Sequence, residues 1–179
     1  MMTQRVLALL GLMFFFVSAS AEYPQKILVL GTYTNFRFTE EHQYGAGVQL
    51  WQEGANLIGL FSYSQGLIGD TPTGLLENVL YDPKTGRISF SAKLTMGLHG
   101  CKVHSNVFSQ DFFRFDGVFL DNSLTGTLKH SDNLHHERAS TEETITLKKS
   151  DGWIVTEYPN RERWEADIKR ILTFRGPKW

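Results

Sequence analysis

The clearest pattern in the chain is a short alternation of apolar and polar residues that recurs between turn residues. In the segment 87–94, apolar and polar side chains alternate at every position, and the segments 124–130 and 144–148 repeat the pattern. Successive side chains of a β-strand point to opposite faces of its sheet. Each segment therefore predicts a strand with one packed face and one solvated face.

Five further segments are more apolar and also predict strands: 27–38, 44–52, 57–64, 73–81 and 111–121. The sequence does not decide whether residues 153–156 form a ninth strand. Glycines recur inside these segments, and a glycine within a strand usually marks a bend or bulge. Such bends favour a sheet that curls on itself. The predicted fold class is all-β: an antiparallel up-and-down barrel of about eight strands, with a β-sandwich as the alternative.

The end of the chain changes from strand to helix periodicity. Asn160 is a suitable N-cap for a helix over 161–172, in which Trp164 and Ile168 share one face. Gly176 and the proline after it end the helix. We expect this C-terminal helix to pack on the outside of the barrel wall or to plug one mouth.

The N-terminal segment has the three parts of a secretory signal peptide. Arg5 precedes an apolar run over 6–17, and Ala19-Ser20-Ala21 is a small-residue cleavage site. The run is shorter than the roughly 20 apolar residues of a membrane span. We therefore predict no transmembrane anchor after cleavage. The predicted organisation is a cleaved signal at 1–21, a barrel domain at 22–156, and a C-terminal helix and tail at 157–179.

Composition narrows the compartment and the partners. Hydrophobic residues make up 41% of the chain, which is typical of a core-forming globular protein. The 18 basic and 19 acidic residues leave no basic excess, so we expect no nucleic-acid partner. The single cysteine excludes an intrachain disulfide, and no Asn-x-Ser/Thr site follows the signal. These features favour an exported bacterial protein, in the periplasm or outside the cell.

The connections differ between the two ends of the predicted barrel. In a meander, alternate connections lie at the same end. One end has the short connections 53–56, 82–86 and 122–123, and the other has the longer connections 39–43, 65–72, 95–110 and 131–142. We call these ends the short-loop mouth and the long-loop mouth. All six histidines lie in or beside the longer connections. Long loops often bind something, so the long-loop mouth is the predicted binding end.

The barrel interior is the second part of this hypothesis. An eight-stranded barrel is either filled by side chains or holds one small ligand, and both remain open here. Aromatic walls suit an apolar or planar ligand. The candidate ligand-binding residues are Glu41, His42, Trp51, Tyr63, Phe113 and Phe115. The predicted partner is a small apolar or amphipathic molecule.

Two alternatives stand beside ligand binding. His99, Cys101 and His104 are suitable ligands for zinc or copper, which would make the chain a metal-handling protein, although a surface loop with a buried thiol is the favoured explanation of these residues. With a solid core, the protein would instead be an envelope interaction module. The sequence contains no nucleophile elbow, phosphate loop or dinucleotide fingerprint, and we assign no catalytic residue.

The segments Asn56–Tyr63, 116–119 and 125–128, together with the signal and the final helix, resemble the calycin barrels, the lipocalin and avidin group. This resemblance covers most of the mature chain as architecture. The lipocalin Gly-x-Trp signature is missing near the first strand, so no binding residue is transferred. The segments 31–35 and 39–42 with Leu50-Trp51 are also similar to exported bacterial proteins of unassigned function.

Overall fold

Nine strands and one helix follow one another in the computed structural model, which describes residues 26–67, 71–94, 111–132, 140–152 and 155–173. The strands are β1 (Ile27–Thr34), β2 (Arg37–Phe38), β3 (His42–Glu53), β4 (Asn56–Leu67), β5 (Thr73–Tyr81), β6 (Arg87–Lys93), β7 (Asp111–Leu120), β8 (Ser123–Asp132) and β9 (Thr141–Ser150). The helix α1 spans Arg161–Thr173. These elements coincide with the predicted segments to within a few residues.

The strands form one antiparallel meander that closes on itself. From β3 to β9, each strand pairs with the next along the chain, and β1 pairs with both β9 and β3. The short strand β2 continues the line of β1 along β3. The predicted barrel is therefore confirmed as a closed eight-stranded antiparallel ring, and the sandwich alternative is wrong. Val155 and Thr156 lie outside any strand, whereas 153 and 154 are outside the described residues.

Alternate residues of each strand fill the barrel interior. On β6 these are Ile88, Phe90 and Ala92, all buried, as the alternation predicts. The side chains that form the interior core are Tyr33, Ala46, Val48, Leu50, Leu57, Phe61, Ile88, Phe90, Ala92, Leu94, Phe113, Phe115, Leu124, Leu128, Ile145 and Leu147. Their burial supplies the main driving force for closing the ring.

One close approach shows why glycine is needed inside two strands. Gly117 of β7 lies directly opposite Gly126 of β8. A Cβ added at either position would lie 2.8 or 2.9 Å from the Cζ atom of Phe115. The missing side chains thus make room for the Phe115 ring against the wall.

The helix α1 packs on the outside of the barrel wall, which decides between the two positions expected for it. Its Trp164 and Ile168 join a second apolar cluster with Trp51 of β3 and Ile58 of β4. The N-terminus is capped as predicted, since the Arg163 backbone N–H donates to the side-chain oxygen of Asn160 at 2.9 Å. Among the described residues, no helix is long and apolar enough to cross a membrane.

Candidate ligand-binding mouth

Three rings meet on the inward side of the strands near the long-loop mouth. Phe113 of β7 lies opposite His130 of β8, and their rings stack with centroids 4.4 Å apart and an interplanar angle of 7°. The Tyr63 ring of β4 lies 4.7 Å from Phe113 and 5.8 Å from His130. Phe113 is fully buried, whereas Tyr63 and His130 are half-buried. We call Tyr63, Phe113 and His130 the three-ring platform.

A carboxylate holds the imidazole of the platform in place. The Nε2 atom of His130 lies 2.8 Å from Oδ1 of Asp111, the first residue of β7. The two side chains are 27% and 25% exposed, so solvent reaches both. An ionised carboxylate only accepts hydrogen bonds, which requires Nε2 to carry the proton. In the neutral imidazole, Nδ1 is then an acceptor, and in the protonated imidazole both nitrogens donate.

The tyrosine of the platform lies in a negative field. Burial raises the pKa of Tyr63, and the carboxylates of Glu143 and Asp111 raise it further. The hydrogen bond that Gln65 Nε2 donates to the Tyr63 hydroxyl acts in the opposite direction. Tyr63 therefore remains a neutral phenol at physiological pH. The polar rim of the platform combines a hydroxyl, an imidazole and two carboxylates.

The platform ends a column of packed rings that fills the middle of the barrel. Phe61 lies 5.0 Å from Phe113, and Phe90 lies 5.1 Å from Phe115. All four are buried. These contacts place packed aromatic side chains beneath the platform.

The predicted ligand-binding residues lie in three different places. Tyr63 and Phe113 belong to the platform, while Phe115 lies deeper in the core. Trp51 does not line the interior: it packs under α1, 5.9 Å from Trp164, and its Nε1 donates to the Thr156 carbonyl at 2.9 Å. In the middle of β3, Val48 and Leu50 are buried on the inner side and Trp51 on the outer side, so an apolar residue type alone does not give the side that Trp51 faces.

Glu41 and His42 lie at the beginning of β3, away from the platform contacts. Glu41 is exposed, and the His42 ring stacks on Tyr44 at 6.0 Å.

The candidate metal ligands His99, Cys101 and His104 lie outside the described residues, as do His135 and His136. Within the described ranges, no three His, Cys, Asp or Glu side chains are grouped to hold a metal ion. The zinc or copper hypothesis stays a prediction.

Sequence reasoning missed the pair formed by His130 and Asp111. His130 continues the inward-facing series of Leu124 and Leu128, so the alternation of β8 was a usable signal for its direction. Asp111 likewise shares the alternation of Phe113 and Phe115, but its approach to His130 depends on the register between β7 and β8.

Comparison with known proteins adds nothing to the description of the fold and the mouth. No family model, no curated protein and no solved structure matches this chain. The closed eight-stranded antiparallel barrel is consistent with a calycin-like architecture.

Proposed function

We propose that the protein binds a small, planar, partly apolar molecule at the long-loop mouth, on the three-ring platform. The observation behind this proposal is the stack of His130 on Phe113, with Tyr63 beside it, at the point where the packed interior becomes accessible. Flat aromatic faces favour offset or parallel stacking with another ring. The hydroxyl and imidazole supply the few polar contacts that orient a ligand in such a site.

The charges around the platform favour an amine over a carboxylate on this ligand. Glu143 and Asp111 both act on Tyr63 electrostatically, in the direction expected of negative charges. A protonated amine would be attracted by these carboxylates and by the ring faces together. A carboxylate on the ligand would be repelled by them. The proposed ligand class is therefore a planar apolar molecule that carries an amine.

We also propose that the protein is exported and that it is a calycin-type binding barrel, of the lipocalin and avidin kind. The signal-like segment 1–21 supports export, although it lies outside the described residues. The closed meander with its outer helix supports the barrel type. Under this proposal, the protein works in the bacterial periplasm or outside the cell.

The test compares two probes that carry opposite charges on the same ring system, naphthylmethylamine and naphthoate, by NMR titration of the full chain. We expect the amine to bind more tightly and to shift the backbone amide signals of residues 111–113 and 130. Replacing the half-buried Tyr63 by leucine should weaken amine binding about tenfold, which corresponds to about 1.4 kcal/mol.

The matched control is Tyr81→Leu. Tyr81 is also a half-buried tyrosine packed on the core, but it contacts Phe119 at 6.2 Å and not the platform. Tyr81→Leu should leave the dissociation constant of the amine unchanged. Equal weakening by both substitutions, or no shift at the platform with either probe, would contradict the proposal.

A further inference from the structure

The outer wall of the barrel carries a groove that the proposed mouth does not use. It has a volume of about 570 Å³ and is lined by residues of β5 to β9, most of them outward-facing, with atoms of the core residues Phe90 and Phe115 also contributing. Its lining includes Ser91, Phe112, Arg114, Thr127 and Lys129. We call this surface the outer groove.

Two positive side chains stand directly opposite each other in this groove. Arg114 of β7 pairs in register with Lys129 of β8. Side chains opposite each other on one face of an antiparallel pair are close neighbours, and like charges there are destabilising. The Arg114 guanidinium lies over the Phe112 ring, 5.4 Å from its centroid. Within the described residues, neither Arg114 nor Lys129 has an ion-pair partner within 4 Å, so their repulsion is not offset by such a contact.

One side of the cation pair is lined by hydrogen-bonding groups. Ser91 of β6 lies opposite Arg114, and Asn78 Nδ2 donates to the Ser91 hydroxyl at 3.1 Å. Asn78 has a positive φ of 52° at an irregularity in the register of β5 and β6. A bulge of this kind twists the bulged strand and re-aims its side chains. The bulge thus brings the Asn78 amide into the groove.

Two carboxylates, those of Asp116 and Glu142, also line the groove. Asp116 is two residues from Arg114 along β7 and has Arg87 within 4.0 Å. Glu142 lies opposite Lys129, on the β9 side. The region between Arg114, Phe112 and Ser91 is therefore the part of the groove best suited to a negative group.

We propose that the outer groove is a second binding site, which takes a small oxyanion attached to an apolar ring. Arg114 and Lys129 hold the oxyanion, and Phe112 contacts the ring. Arginine suits phosphate and carboxylate because its planar fork can donate two parallel hydrogen bonds. Binding would also remove the repulsion between the two cations. This site is independent of the long-loop mouth and takes the opposite charge.

The experiment titrates the full chain with phenyl phosphate, benzoate and inorganic phosphate and follows backbone amide signals by NMR. We expect the signals of residues 89–91, 112–116 and 127–129 to move. Phenyl phosphate and benzoate distinguish a phosphate from a carboxylate ligand by their relative affinities. Inorganic phosphate should bind more weakly than phenyl phosphate, because it cannot contact Phe112.

Substitutions distinguish this site from general attraction of anions. Arg114→Gln and Lys129→Gln should each weaken phenyl phosphate binding about tenfold. The control Lys148→Gln removes the same charge from an exposed position on β9, outside the groove lining, and should leave the affinity unchanged. Equal effects of all three substitutions, or no shift in the groove at about 20 mM phenyl phosphate, would overturn the proposal.

Discussion

The two faces of β7 have opposite characters although they alternate residue by residue. Inward, Phe113 and Phe115 are buried in the ring column. Outward, Phe112 and Arg114 line an open groove. The inner face is stabilised by the packing of apolar side chains, whereas the outer face carries charged and hydrogen-bonding side chains. One strand thus contributes both to the platform proposed for an apolar amine and to the groove proposed for an aromatic oxyanion.

This contrast has an energetic consequence. Fully burying a phenylalanine side chain contributes about 1.5–3 kcal/mol, and removing one from a core also leaves a cavity. An exposed side chain contributes little to folding. Changes on the inner face of β7 should therefore alter stability first, and changes on its outer face should alter binding alone.

The largest expected effect is on the inner face. Phe113→Ala should lower the free energy of unfolding by about 3–5 kcal/mol, because it removes a buried ring between Phe61 and Tyr63. Phe112→Ala, one residue away and facing outward, should cost less than about 1 kcal/mol. Chemical denaturation of both variants measures the difference. Similar losses in the two would show that the faces of β7 are not energetically distinct.

A smaller effect is expected where two strands approach each other closely. Gly126→Ala should destabilise the fold by about 1–3 kcal/mol, because overpacking forces the neighbouring atoms to move. Its Cβ would clash with the Asp116 carbonyl oxygen and lie 2.9 Å from the Cζ atom of Phe115. Gly66→Ala is the control, since no heavy atom of the described residues lies within 4 Å of its added Cβ. A thermal midpoint lowered equally by both substitutions would contradict this account.

The smallest effect concerns the charge at the platform. Burial and then Glu143 raise the pKa of Tyr63, so the folded state favours the neutral phenol. The resulting stability is complete below the unfolded tyrosine pKa of about 10 and is lost as the pH rises through the folded pKa. Glu143→Gln removes one cause and should lower the pKa of Tyr63. The loss of stability should then be complete at a lower pH.

The control for this prediction is the neighbouring carboxylate Glu142, which lines the outer groove. Glu142→Gln should leave the Tyr63 titration unchanged. Tyrosinate absorbance measured against pH follows the titration, and Tyr63→Phe identifies the step that belongs to this residue. Equal shifts from both glutamate substitutions would mean that the wall does not separate the two faces electrostatically.

The alternation along β6, β8 and β9 was enough to predict these strands and their buried faces, because each strand has one solvent-exposed face. Apolar character did not give the direction of Trp51, which is buried on the outer wall beneath α1, while Val48 and Leu50 are buried on the inner side. The direction of the His130 side chain was readable from the alternation of β8, but its contact with Asp111 depends on the register between β7 and β8. The outer groove depends on register too, since Arg114 and Lys129 are far apart in sequence and meet only across the β7–β8 pairing.

The number of paired residues differs between neighbouring strands of the ring, and we expect local opening where that number is smallest. The seam between β1 and β9 has three residue pairs, and the seam between β4 and β5 also has three, whereas β3 and β4 share twelve. These two short seams divide the ring into a sheet of β1, β3 and β4 and a sheet of β5 to β9. The apolar cluster under α1 includes Leu75 of β5, so the helix fastens one seam from outside. We expect the two sheets to separate first along the β1–β9 seam. Amide hydrogens of this seam should therefore exchange with deuterium before those of the other strand pairs.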